Sequence, residues 1–192
     1  MASKPGERKL QILQTVAQML EQPKGEKITT AALAAKLELS EAALYRHFAS
    51  KAQMFEGLIE FIEQTVFGLI NKITQEEKSG LQQVEAVMAM LLNFAQKNCG
   101  MTRVLIGDAL VNEDERLQQR INQLLDRIEA TLKQSLRMAV TQGEISATTE
   151  VGAHANLLLC YVIGRWQQFA KSGFARDPVA QWPAQWPLLS RR

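Results

Sequence analysis

Residues 28–48 read ITTAALAAKLELSEAALYRHF, and the small polar residues in this stretch set its local structure. Thr29 or Thr30 can cap a short helix that carries Leu33 and Leu37. Ser40 is a good N-cap for a second helix, Glu41 sits at its positive end, and Leu39 can staple onto Leu44. The pattern predicts short helix, tight turn, short helix. Two such helices crossing steeply let the second enter the DNA major groove. That second helix would expose Ser40, Glu41, Tyr45, Arg46 and His47 toward bases or phosphates, while Leu44 and Phe48 anchor it on Leu33 and Leu37. Thr29 and Thr30 at a helix start, and Lys51 just beyond, suit phosphate contacts. An ordinary helical hairpin, with the threonines and serine only as caps, satisfies the same spacing, so both readings stand at this point.

Helical periodicity continues on both sides. Ile12, Val16, Met19 and Leu20 form a stripe closed by Pro23 and Gly25. Ser50 with Gln53 reads as a capping box opening a long helix, with Phe55, Leu58, Ile59, Ile62, Val66, Leu69, Ile70 and Ile73 on one face. Residues 81–98 carry Leu81, Val84, Val87, Met88, Leu91, Leu92 and Phe94, and a short apolar stretch follows at 101–111. A long helix is predicted over 112–142, ended by Gly143, and another over 149–171, apolar almost all round. Pro178, Pro183 and Pro187 limit the tail to short helical turns. No strand pattern of useful length appears. The fold class is all-α.

Composition narrows the function. In 192 residues there are 22 Lys+Arg against 20 Asp+Glu, a net charge of +2, which fits neither a polycation nor an acidic solvating chain. Residues 1–55 carry a net +3 and the remainder a net −1, a modest difference that points to the N-terminal part as the end that could meet a polyanion. Two cysteines make no disulfide framework and point to a reducing, cytoplasmic setting. No apolar run reaches the ~18 residues of a membrane span, and residues 1–25 lack a signal-peptide core. Enzymatic readings find little support. His47 and His154 have no second ligand at metal spacing, no glycine cluster matches a phosphate loop, and neither cysteine sits in a nucleophile context. His154 reads as a hydrogen-bonded core or interface histidine. No enzyme activity, cofactor or metal is expected.

The stretch ITTAALAAKLELSEAALYRHFASKAQMFEGL (residues 28–58) resembles the DNA-binding domain of the TetR family, above all in YRHF-x-SK leading into the linking helix. Glu38 stands where that family usually has glycine, and Ala49 where proline is common. A left-handed Glu38 would cost about 1–2 kcal/mol. The resemblance implies a three-helix DNA-binding domain over residues 1–52, a linking helix over about 50–75, and a helical dimerisation and regulatory domain over 53–192.

LIEFIEQ (58–64), GMTRVLIGDALVNEDERLQQRINQLLDRIEATLKQ (100–134) and QWPLL (185–189) carry the likeness further, to a family of nucleoid occlusion factors, over about residues 12–189. That resemblance implies a homodimer on palindromic double-stranded DNA that, when bound, antagonises assembly of the division protein FtsZ, with the protein cytoplasmic and nucleoid-associated. By position it assigns FtsZ contact to Phe61, Leu69, Met90, Asn93, Lys97 and Asn98; family members carry a basic residue and a glycine where this chain has Leu69 and Asn93. Phe61 projects roughly 100° from the stripe residue Ile62, so packing under the next helix is the competing account. The helices at 112–142 and 149–171 are the expected dimer bundle; full burial in a monomer is the alternative for the second. Leu117, Ile121, Leu124 and Ile128 also fit a coiled-coil heptad, and globular helix packing explains them equally well. The runner-up function is a TetR-type repressor released by an apolar ligand, with Met88, Met90, Phe94 and Trp166 as pocket lining. The nucleoid occlusion reading itself calls for no small-molecule ligand.

Overall fold

The computed structural model describes residues 5–22 and 28–190, so the predicted closure at Pro23 and Gly25 lies outside the described residues. All regular structure among them is helical: α1 (Pro5–Leu20), α2 (Thr30–Lys36), α3 (Glu41–Tyr45), α4 (Lys51–Glu76), α5 (Gly80–Lys97), α6 (Cys99–Leu105), a 3-10 turn (Asp108–Leu110), α7 (Glu115–Thr141), α8 (Val151–Lys171) and α9 (Trp182–Leu189). The chain divides into two compact units, Met1–Ile62 with Asn98–Ile121, and Glu63–Lys97 with Asn122–Arg192.

In the first unit Ile12, Val16 and Leu20 of α1 are buried, with Leu33, Leu44, Phe48, Phe55, Leu58 and Ile59 from the following helices. Helix α6 lies directly on α1. A Cβ at Gly100 would fall 1.9 Å from the Ala17 carbonyl oxygen, so no side chain fits between the two backbones. Gly57 serves α4 more mildly, leaving room for Leu13 and Phe48.

The second unit is built on α5. A Cβ at Gly80 would collide with the α7 backbone at Ser135 and Ala139, which sets the close approach of these helices. The start of α5 is capped from a distance: the Gln142 side chain accepts from the Gly80 N–H at 2.8 Å, and the Glu144 carboxylate from the Leu81 N–H at 2.8 Å. The carboxylate also complements the positive end of the helix. Buried Gln83 accepts from the Ser135 hydroxyl and donates to the Thr74 and Glu77 carbonyls, tying the end of α4 to α7. Trp166 of α8 is fully buried, and its indole N–H donates to the Leu91 carbonyl at 3.1 Å.

Several expectations are corrected. Leu69 is not on the buried stripe of α4 but 41% exposed, and Ile73 is only partly covered. Helix α7 starts at Glu115 rather than 112 because Asn112 is left-handed (φ 63) and the Asp114 side chain accepts from the Arg116 N–H. The heptad-like residues Leu117, Ile121, Leu124 and Ile128 are all buried within the chain, so they are core rather than a free coiled-coil seam. Of the residues considered as pocket lining, Met88, Phe94 and Trp166 are buried and Met90 is half-buried. Helix α8 is not buried on all sides within the single chain. Leu158, Leu159, Val162, Trp166 and Phe169 face inward, while Ala153, Asn156, Leu157, Cys160 and Gly164 are exposed. The tail forms a two-turn helix despite its prolines. Pro183 sits in the first turn, where no N–H is needed, and the rings of Trp182 and Trp186 meet tilted, with centroids 5.3 Å apart.

Candidate nucleic-acid interface

Helices α2 and α3 are short, and side-chain caps define both. Thr29 Oγ1 accepts from the Ala32 N–H, and Ser40 Oγ from the Ala43 N–H, each at 3.1 Å. Thr29, rather than Thr30, is therefore the cap. Thr30 does a different job: its hydroxyl donates to the Glu41 carboxylate at 2.6 Å, joining the first turns of the two helices.

The turn between them is a Schellman motif. The Leu39 N–H donates to the Ala34 carbonyl at 2.9 Å and the Glu38 N–H to the Ala35 carbonyl at 3.1 Å. That geometry requires a left-handed residue at the position of Glu38, whose φ is 54°. The glutamate-for-glycine departure thus leaves the turn intact, at the backbone cost a non-glycine residue carries there. The capping box at α4 also forms, shifted by one residue at its return bond. Ser50 Oγ accepts from the Gln53 N–H, while the Gln53 side chain accepts from the Ala49 N–H instead of that of Ser50.

Leu33, Leu37, Leu44 and Phe48 are buried, and Leu44 is fully so. Outward from them stand Thr29, Ser40, Glu41, Tyr45 and Arg46, all exposed, with Thr30 and His47 half-buried. Tyr45, at 45% exposure, is the large amphipathic side chain of this face. Lys51 behaves differently from the expectation of an open phosphate contact: its ammonium is ion-paired with Glu113, and its side chain is only 21% exposed. Sequence reasoning missed this partner, and also the pair between Arg103 and Asp108 at 3.0 Å. The dense charge of residues 103–116, broken by left-handed Gly107, was the available signal. Asp114, beside the Arg116 guanidinium, has its carboxyl lowered to about 2.

The residues assigned by resemblance to a protein partner are spread along the chain. Phe61 and Leu69 of α4 are 38% and 41% exposed. Asn93 and Lys97 of α5 are exposed, and the Asn93 amide donates to the Ala89 carbonyl of its own helix. Met90 and Asn98 are half-buried. His154 is half-buried, and its Nε2 lies 2.8 Å from the Leu189 carbonyl oxygen, as a hydrogen-bonded packing histidine would. Among the described residues no group of three or more His, Cys, Asp or Glu side chains could hold a metal ion, and no helix is long and apolar enough to cross a membrane.

Comparison with known families agrees with this architecture at both ends of the chain. Residues 17–58 match the bacterial regulatory proteins of the tetR family, and residues 78–192 match the SlmA-like, tetracyclin repressor-like C-terminal domain. The nucleoid occlusion factor SlmA of Alteromonas mediterranea is 50% identical over 99% of this chain and 97% of its own length. That of Marinomonas sp. is 47% identical over 100% of this chain and 97% of its own length. The chain belongs to the SlmA family of nucleoid occlusion factors. Members of this family are TetR-type DNA-binding regulators and not enzymes. The fold likeness extends to the fatty acid degradation regulator FadR from Bacillus halodurans, with a TM-score of 0.80 at 14% identity over 100% of this chain and 97% of that one.

Proposed function

We propose that a homodimer of this chain binds palindromic chromosomal DNA in the cytoplasm and, while bound, engages FtsZ and opposes its assembly over the nucleoid. The observation that carries the reading is the α2–α3 pair, with a fully buried Leu44 under an outward face of Ser40, Tyr45 and Arg46. Such a face suits base edges and phosphates. Thr29, Thr30, Glu41, His47 and Lys51 complete the proposed DNA contacts. Glu41 first holds Thr30, so it orients the reading helix as well as facing the groove. In a dimer the two copies of α3 would read half-sites about 34–36 Å apart.

Dimerisation through α7 and α8 is supported by the outward row Ala153, Asn156, Leu157, Cys160 and Gly164, in which Leu157 is 55% exposed. Small residues around one large apolar side chain let a second helix approach closely. For FtsZ, the proposed contacts are Phe61, Leu69, Met90, Asn93, Lys97 and Asn98. The support is that Phe61 and Leu69 remain exposed on a helix that buries most of its other large apolar side chains.

Sedimentation with FtsZ and a duplex selected from a random-sequence library tests the whole reading. A dimer that carries both duplex and FtsZ in one boundary is the expected result. A monomer at micromolar concentration, or a DNA complex that leaves FtsZ behind, contradicts it.

A further inference from the structure

Lys51 opens α4, where its charge faces the positive end of the helix and is disfavoured by the backbone. The side chain is turned inward. Its Nζ lies 5.6 Å from the centroid of Phe55, itself 2% exposed, and pairs with Glu113, whose side chain is 12% exposed. Glu113 follows the 3-10 turn, and the same stretch is pinned by a second ion pair. Arg103 binds Asp108 and donates to the Leu20 and Gln22 carbonyls at 3.3 and 2.9 Å, at the end of α1. Glu113 is therefore held in place by its own segment and not by Lys51 alone. A cavity of about 240 Å³ beside these groups is lined by Met19, Ile28 and Phe55 as well as by both ion pairs, so the lysine stem has room to swing.

We infer that Glu113 is an internal counter-anion that competes with a DNA phosphate for Lys51, so that Lys51 strengthens DNA binding only after leaving Glu113. This rests on the reading of Lys51 as a phosphate contact. A half-buried carboxylate of fixed position lowers the affinity of the free protein for DNA, because one ion pair must open for another to form. No other residue of the proposed DNA-reading face is so committed, apart from the Thr30–Glu41 pair, whose carboxylate is exposed.

Anisotropy of the selected duplex, measured across a salt series, tests the competition. Lys51→Met is expected to weaken binding and to flatten the log–log salt slope by about 0.9, the signature of one lost phosphate contact. Glu113→Gln is expected to tighten binding about 3- to 10-fold, and the double variant to behave like Lys51→Met alone. Should Glu113→Gln lower the melting temperature sharply, Glu113→Asp keeps the charge but withdraws it by one methylene, and a smaller tightening is expected. Unchanged or weaker binding by both Glu113 variants, with Lys51→Met behaving as expected, overturns the competition and leaves the phosphate contact standing. Tightening that persists in the Lys51→Met background also overturns it, as general repulsion by Glu113. A Lys51→Met variant with unchanged affinity and slope removes both.

Discussion

The surface of α2–α3 and the surfaces of α4 and α8 are made in opposite ways. In α2–α3 Leu33, Leu37, Leu44 and Phe48 all turn inward, and the outward positions hold alanines, hydroxyls, two carboxylates, a phenol, an ammonium and a guanidinium, with no exposed large aliphatic side chain. On α4 and α8 the core is just as well filled, yet Phe61, Leu69 and Leu157 stay outside at 38%, 41% and 55% exposure. A polar outward face with rigid caps suits a polyanion whose backbone supplies acceptors. Exposed large apolar side chains gain nothing from DNA phosphates and are stabilised only by covering them with protein. On the proposed reading the two kinds of surface separate DNA recognition from protein association, and substitutions should separate them too.

The largest effect is expected where neither surface is touched. Trp166→Ala empties a fully buried site and removes the indole hydrogen bond to the Leu91 carbonyl, so a loss of about 3–5 kcal/mol is expected in urea unfolding. DNA and FtsZ binding should then fall together, only because the folded fraction falls. Phe61→Ala comes next. It should weaken FtsZ binding about 10-fold or more, as truncating an aromatic anchor does, with DNA affinity and melting temperature unchanged. Equal loss of folding would make Phe61 a packing residue. The mirror case is Arg46→Ala, which should weaken the selected duplex about 10-fold while leaving the melting temperature unmoved. At duplex concentrations that saturate both proteins, its FtsZ binding should match the parent chain.

Glu38→Gly closes the series with a gain. It removes the left-handed strain of the Schellman turn, and a net stabilisation of about 1 kcal/mol is expected from thermal unfolding, with DNA binding intact. Glu38→Ala should bring no such gain, since alanine carries the same Cβ.

Local features were the legible ones. The caps at Thr29 and Ser40, the Ser50–Gln53 box and the turn at Glu38 are written in residues at most five apart, and the structure forms all of them, the box with its return bond moved to Ala49. The buried face of α2–α3 followed from the same spacing. What the sequence did not reveal depends on docking between distant segments. The Lys51–Glu113 pair joins residues 62 apart, and the Gln142 and Glu144 caps of α5 reach across 62 and 63. Leu69 was misplaced because a stripe on a long helix is broad. Ile62, Val66 and Ile70 already fill the inward side, which leaves Leu69 at its edge. Helix α9 was read only as short helical turns because two of the tail's prolines fall inside it, Pro183 in the first turn. Pro187 costs one bond, to the carbonyl of Pro183, and tilted ring contacts of Trp182 with Trp186 and Tyr161 pack the helix down.

FtsZ assembly followed by light scattering, with this protein alone, with random duplex and with the selected duplex, tests the central claim most directly. Antagonism that appears only with the selected duplex is the predicted result. Unchanged FtsZ assembly in the presence of tightly bound selected duplex would contradict it.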